Sequence, residues 1–170
     1  LLIWAPDTLS RRLRSKEERV KQKGVVALSG ILFVASFILA GLDFRFGWSE
    51  VPGWVTWTAG SIFLLSYGMY AEVMRENEWL SRSIEVMECQ KVVSSGLYGI
   101  VRHPMYTATI LMFLAMPLVM GSWWAFLVML PYVIAIVTRI KDEEMLLTKE
   151  LEGYQEYKEK VRWKLIPYIW

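Results

Sequence analysis

The residues best suited to chemistry stand together just before an apolar run, and they are Arg102, His103, Pro104, Met105 and Tyr106. The histidine is the only one in the chain. Two neighbouring carboxylates, Glu143 and Glu144, follow about forty residues later. Polar groups held at the edge of a membrane helix would allow a water-soluble cofactor to meet a lipid-like substrate, and this is the chemistry that we expect from them.

Pro104 predicts the start of a helix. Proline lacks an amide hydrogen, and the amides of a first helical turn have no partner within the helix. Those amides and the helix dipole favour a negatively charged group nearby, which could belong to a bound cofactor. A plain membrane boundary explains the same residues, with Arg102 reaching the lipid headgroups and Tyr106 at the interface. The residues alone leave both interpretations open.

A second candidate group consists of Arg139 and Glu143. They are four residues apart, so they share one face of a helix that leaves the membrane. An arginine at this depth can hold a carboxylate or a phosphate with two parallel hydrogen bonds. A snorkelling arginine beside a solvated acidic face is the alternative interpretation.

A third candidate group precedes the histidine, and it comprises Gln90, Lys91, Val92, Val93 and Tyr98. The residues Gly96, Leu97 and Tyr98 could form a tight turn that cradles a cofactor, although a plain loop fits equally well. The glycine pattern of a soluble nucleotide-binding fold does not occur. With one histidine and one cysteine, no metal site is predicted.

The apolar residues determine the expected architecture. They make up 55% of the 170 residues and come in blocks separated by charged segments. This pattern predicts an all-α polytopic membrane bundle of about four spans, in a single domain over residues 1–170. Spans are expected over residues 25–42 and 54–74, and two more within 105–140 are joined by a hairpin turn at Gly121 and Ser122. Each hairpin arm contains a proline that should kink it, and these are Pro117 and Pro131.

The charges suggest an orientation. Basic residues concentrate in residues 11–23, in 75–102 and after Arg139, and these regions fall on one side if four spans are crossed. The positive-inside rule predicts that this side is cytosolic. Residues 141–164 carry apolar side chains at spacings of three and four, which predicts an amphipathic helix that continues from the last span. The apolar residues 1–4 resemble the tail of a further, fifth span. The formal charge of +2 gives no sign of nucleic-acid binding.

Several of these pieces together resemble the isoprenylcysteine carboxyl methyltransferase and phospholipid methyltransferase superfamily of integral membrane enzymes. The resemblance runs from about Glu78 to the end of the chain, whereas the first half matches only as membrane spans. The matching pieces are Gln90 to Val93, Ser95 to Tyr98, Arg102 to Tyr106, Arg139, Glu143 with Glu144, Tyr154 with Tyr157, and Leu165 to Pro167.

The resemblance implies a cytosolic S-adenosylmethionine site within residues 78–170. Arg139 would hold the methyl-accepting carboxylate, and Glu143 would act with it in catalysis. One departure is that Leu151, Glu152 and Gly153 stand where the family has Phe-Gly. The residues that would line the cofactor are Gln90, Lys91, Val92, Val93, Tyr98, His103, Pro104, Met105, Tyr106, Glu143 and Glu144.

Other functions remain open at the level of sequence. The expected substrate is a lipophilic carboxylate of the isoprenylcysteine type, and a phospholipid amine or a thiol is the alternative within the same superfamily. Membrane sterol reductases, which use NADPH, share the Arg-His-Pro-x-Tyr segment, but they carry a glutamate where this chain has Thr109. A non-catalytic protein that binds membrane lipids is a further alternative. Oligomeric state is undetermined, because no GxxxG pattern occurs in a span.

Overall fold

The computed structural model describes residues 20–80, 84, 86–87 and 89–170. The expected N-terminal span and most of the basic stretch 11–23 lie outside these residues. Within the described ranges, all regular structure is helical. The helices are α1 (Val20–Phe46), α2 (Gly53–Glu76), α3 (Pro104–Val119), α4 (Trp123–Met129), α5 (Pro131–Glu150) and α6 (Tyr154–Lys160), with a 3-10 turn at Gly96–Gly99.

The helices pack around α3. Helix α2 lies along α3, whereas α1 packs against α4 and α5. The core beneath the site contains Tyr106, Met129, Tyr132, Ile136, Ile140 and Leu165. The outward faces are strongly apolar, as Ile31 and Leu65 show with exposed fractions of 65% and 75%. Such continuous apolar surface is expected of helices that face lipid.

Two stretches in the described part of the chain are long and apolar enough to cross a membrane. They are Gln22–Phe46, within α1, and Trp123–Glu150, which combines α4 and α5. Helix α3 is apolar but shorter, with 16 residues. The all-helical prediction is therefore confirmed for the described residues, while the count of four spans stays a prediction.

The predicted hairpin between α3 and α4 is confirmed. Gly121 has a φ of 78°, which favours glycine, and the Ser122 hydroxyl accepts a hydrogen bond from the amide of Ala125. Pro117 lies inside α3, and Pro131 begins α5 directly after Leu130, whose backbone remains helical. Both prolines are therefore accommodated within helical arms, while the expected kinks stay a prediction.

The predicted unbroken helix over 141–164 is wrong. Helix α5 does continue beyond the apolar stretch, but it ends at Glu150, and Gly153 then adopts a φ of 81° before α6 begins. The turn brings Leu151, Tyr154, Tyr157 and Val161 into one apolar cluster. Burial of this cluster favours the turn, which a glycine permits at little steric cost.

Candidate active site

A cleft opens where the ends of α2 and α5 meet the start of α3 and helix α6. Its volume is about 830 Å³ when the open mouth is included. The remaining wall is formed by Trp79, Leu80, Ile84 and residues 90–93, and by Tyr98 of the turn at Gly96–Gly99. Ten predicted site residues line it, and they are Gln90, Lys91, Val92, Val93, Tyr98, His103, Met105, Tyr106, Arg139 and Glu143.

Two predicted site residues lie elsewhere. Pro104 occupies the first position of α3, as expected, and its side chain is fully buried, so it sets the helix start without lining the cleft. Glu144 is also buried and does not line the cleft. Its position does not support the expected contact with a cofactor.

Glu144 instead lies at the centre of a buried ion cluster. Its Oε1 atom accepts a hydrogen bond from Arg102 Nε at 2.6 Å and lies 3.3 Å from His103 Nε2. Its Oε2 atom lies 2.8 Å from Lys164 Nζ. The cluster therefore joins the start of α3, helix α5 and the C-terminal tail.

The C-terminal tail holds the histidine segment through its backbone. The amide of His103 donates to the carbonyl of Lys164 at 2.9 Å, and the amide of Arg102 donates to the carbonyl of Trp163 at 2.9 Å. The Thr107 hydroxyl donates to the carbonyl of Leu165 at 2.8 Å. These bonds fix the edge of the cleft on which His103 lies.

Tyr106 links the two residues predicted to be catalytic. Its hydroxyl donates to Glu143 Oε2 at 2.6 Å and accepts from Arg139 Nε at 3.0 Å. Tyr106 and Arg139 are both buried, whereas Glu143 is partly exposed. Arg139 and Glu143 thus share one face of α5, as their spacing predicts, and a tyrosine from α3 joins them.

The predicted tight turn before the histidine segment is a 3-10 helix at Gly96–Gly99. Gly96 has a φ of 49°, and a Cβ atom there would overlap the carboxylate of Glu76. Tyr98 is held from two sides, because its hydroxyl accepts from Asn77 Nδ2 at 2.9 Å and its carbonyl accepts from Tyr157 Oη at 2.7 Å. The turn is therefore anchored to both α2 and α6.

Some residues that line the cleft were not predicted from the sequence. Tyr154 and Tyr157 share a face of α6 because they are three residues apart, and this spacing was a usable signal. Residues at the end of α2 and just beyond it carried no such signal. The lining residues absent from the predicted site are Asn77, Trp79, Leu80, Ile84, Arg102, Leu147, Leu151, Tyr154 and Tyr157.

Tyr154 has an unusual environment. Its hydroxyl is buried and has no hydrogen-bond partner among the described residues. Burial raises the pKa of this hydroxyl well above its ordinary value, and the carboxylates of Glu144 and Glu143 raise it further. Burial also raises the pKa of Tyr157. Both tyrosines therefore remain neutral hydrogen-bond donors at physiological pH.

Parts of this sequence are similar to known proteins. The sequence is 31% identical over 84 residues to a Delta(14)-sterol reductase of Mus musculus, and the match covers 48% of this chain and 20% of that protein. The chain therefore matches only about a fifth of the length of that relative. The profile of the phospholipid methyltransferase family matches residues 54–153, which are 100 of the 170 residues and include all ten predicted residues of the cleft. The chain belongs to the phospholipid methyltransferase family.

Proposed function

We propose that this protein transfers a methyl group from S-adenosylmethionine to a lipophilic acceptor at the cytosolic face of the membrane. The preferred acceptor is a carboxylate of the isoprenylcysteine type. The observation that carries the proposal is the chain of hydrogen bonds from Arg139 through Tyr106 to Glu143 in the wall of the cleft. This chain places Arg139, which can bind an anion, close to Glu143, which can bind a cation, and both lie next to apolar helices.

The cleft suits the charges of the cofactor. S-adenosylmethionine supplies an electrophilic methyl group on a positively charged sulfur, and it also carries an ammonium group. The carboxylate of Glu143 can hold an ammonium, and the rings of Trp79 and Tyr98 can contact a cation. The Tyr154 hydroxyl favours binding of a polar ligand. It is buried without a hydrogen-bond partner among the described residues, which is unfavourable, and a bound polar group would supply that partner.

Arg139 suits the acceptor. Its guanidinium can hold a carboxylate by two parallel hydrogen bonds and so set the direction of attack. Orientation of two reactants can supply about 7–11 kcal/mol of a barrier. A carboxylate has no proton to lose when its oxygen forms the new bond to carbon, so this acceptor requires no general base. In this attack the new oxygen–carbon bond replaces the bond between the methyl carbon and the sulfur, which leaves as a neutral thioether. Two opposite charges are thus neutralised, which a partly dehydrated site favours.

The family match favours a phospholipid amine as the second candidate acceptor. Arg139 would then hold the phosphate, again by parallel hydrogen bonds. An amine must lose a proton as its nitrogen bonds the methyl carbon, and Glu143 or a water molecule would take it. A thiol acceptor would have the same requirement.

The identity to a sterol reductase favours an NADPH-dependent reaction as a third candidate. Those enzymes, as a class, carry a glutamate where this chain has Thr109, and the Thr109 hydroxyl donates to the carbonyl of Tyr106 at 3.1 Å. The threonine hydroxyl is therefore bonded within its own helix, and the side chain supplies no carboxylate. Competition between labelled S-adenosylmethionine and NADPH for the purified protein separates the two cofactors.

A methyl-transfer assay tests the proposed function. The protein is reconstituted in phosphatidylcholine vesicles with S-adenosylmethionine labelled in its methyl group, and either N-acetyl-farnesylcysteine or phosphatidylethanolamine is added. A base-labile product indicates a methyl ester, and a base-stable product indicates methylation of nitrogen or sulfur. The proposal is refuted if neither acceptor nor a membrane lipid extract gains label, as a non-catalytic lipid-binding protein would behave.

A further inference from the structure

Gln22 approaches the candidate active site from α1, outside the range that matches the family profile. Its side chain is buried, with an exposed fraction of 1%. Its Oε1 atom accepts a hydrogen bond from Arg139 Nη1 at 3.3 Å, and its Nε2 atom donates to Asp142 Oδ2 at 2.6 Å. A polar side chain of α1 therefore touches the guanidinium that faces the cleft.

The chemistry of the three groups fixes the orientation of this amide. An arginine only donates hydrogen bonds, and a carboxylate only accepts them. The amide oxygen of Gln22 must therefore face Arg139, and its nitrogen must face Asp142. Because Tyr106 holds Nε and Gln22 holds Nη1, two different nitrogens of Arg139 are fixed, and the plane of the guanidinium is fixed with them.

We propose that Gln22 is a positioning residue for the methyl acceptor. Asp142 sets the orientation of the Gln22 amide, and the amide sets the plane in which Arg139 presents its hydrogen bonds to the anionic group of the acceptor. The inference rests on the proposed function, because it assigns the acceptor to Arg139. It extends the site to α1, so this helix takes part in substrate recognition.

The position of α1 does not depend on Gln22 alone. Near its far end, the Asp43 carboxylate accepts from the hydroxyl of Ser122, and the Ser36 hydroxyl donates to the carbonyl of Ala125 at 3.4 Å. Leu32 packs against the core beneath the site. We therefore expect α1 to keep its place when the amide of Gln22 is removed.

The test uses the full chain in phosphatidylcholine vesicles, with N-acetyl-farnesylcysteine as the acceptor probe. Wild type and Gln22→Leu are compared in equilibrium binding of the probe, in binding of S-adenosylmethionine and in methyl transfer. Ser29→Ala is the matched control, because its hydroxyl donates within α1 to the carbonyl of Val25 at 2.8 Å. If Gln22→Leu does not fold, Gln22→Asn replaces it, since this variant keeps the amide but withdraws it by one methylene.

We expect Gln22→Leu to raise the Kd and the KM for the probe about tenfold, the effect of one hydrogen bond to a charged group. The Kd for S-adenosylmethionine should change by less than about twofold, because Gln22 acts on the acceptor through Arg139 and not on the cofactor. In an Arg139→Lys background, the effect of Gln22→Leu on probe binding should fall below about twofold, because the group on which Gln22 acts is gone.

Two results overturn the inference. One is a Gln22→Leu variant that binds the probe as tightly as the wild type. The other is a loss of cofactor affinity as large as the loss of probe affinity, which would indicate a structural role. Failure of the proposed function looks different, since the wild type itself would then form no methylated product. Probe binding still decides the role of Gln22 in that case.

Discussion

Two adjacent carboxylates of α5, Glu143 and Glu144, should respond differently to replacement by glutamine. Glu143 lines the cleft and is partly exposed, whereas Glu144 is buried beneath Arg102, His103 and Lys164. Glutamine is close to glutamate in shape, so Glu143→Gln and Glu144→Gln each remove a charge and little else. We expect Glu144→Gln to destabilise the fold and Glu143→Gln to weaken cofactor binding.

The contacts of the buried ion cluster allow an estimate of the unfolding free energy that Glu144→Gln would lose. The side chain of Arg102 is 6% exposed, so its charge would remain buried without a carboxylate. Removal of one partner from a buried ion pair costs about 3–5 kcal/mol. Glutamine keeps an acceptor oxygen, and Lys164 is 23% exposed and can turn to water. We therefore expect the lower end of the range, about 3 kcal/mol, or about 6–12 °C in Tm for a domain of this size.

Glu143→Gln should leave stability within about 1 kcal/mol, because the Tyr106 hydroxyl can donate to the amide oxygen in place of the carboxylate. The affinity for S-adenosylmethionine should fall about tenfold or more, since one charge-assisted hydrogen bond to the ammonium becomes a neutral one. The pair of variants therefore separates a role in the cleft from a role in the fold.

Both variants are measured in the same detergent, with thermal unfolding for stability and equilibrium dialysis of labelled S-adenosylmethionine for affinity. The wild type is the reference for each measurement. The reasoning fails if Glu144→Gln melts within about 1 °C of the wild type, since a buried Arg102 cannot lose its partner at so small a cost. If both variants fold well and lose cofactor affinity equally, Glu144 belongs to the cofactor site after all.

Two further predictions concern the cleft, and a third concerns two glycine turns. Arg139→Ala should abolish methyl transfer in the vesicle assay while the Kd for S-adenosylmethionine stays within about twofold, and unchanged turnover would remove its role in acceptor binding. Tyr154→Phe should keep the Tm of the wild type but lose cofactor affinity, because the Tyr154 hydroxyl has no protein partner among the described residues. Tyr157→Phe should instead lose about 1 kcal/mol of stability, because it removes a hydrogen bond to a backbone carbonyl. Gly96→Ala should lower the Tm more than Gly121→Ala. Both glycines have positive φ, but only at Gly96 would the Cβ displace a carboxylate, that of Glu76, which accepts a hydrogen bond from the amide of Leu97 at 3.1 Å. Equal Tm losses in the two glycine variants would contradict this steric argument.

Local rules predicted two helix boundaries correctly. Proline at the first helical position predicts the start of α3 at Pro104, and glycine followed by serine predicts the hairpin at Gly121 and Ser122. Both rules depend on the backbone of a few neighbouring residues, which the sequence contains in full. The same reasoning was wrong for residues 141–164, where apolar spacing continued but burial of Tyr154 and Tyr157 favoured a turn at Gly153.

The sequence by itself determined that the chain is helical, that its apolar blocks suit a membrane, and that Arg139 and Glu143 share a face of one helix. It did not determine which of Glu143 and Glu144 faces the cleft. Neighbouring residues point about 100° apart around a helix, and the rotation of α5 about its axis depends on α3 and the C-terminal tail. Likewise, Gln22 lies 117 residues before Arg139, so only tertiary packing brings the two side chains into contact.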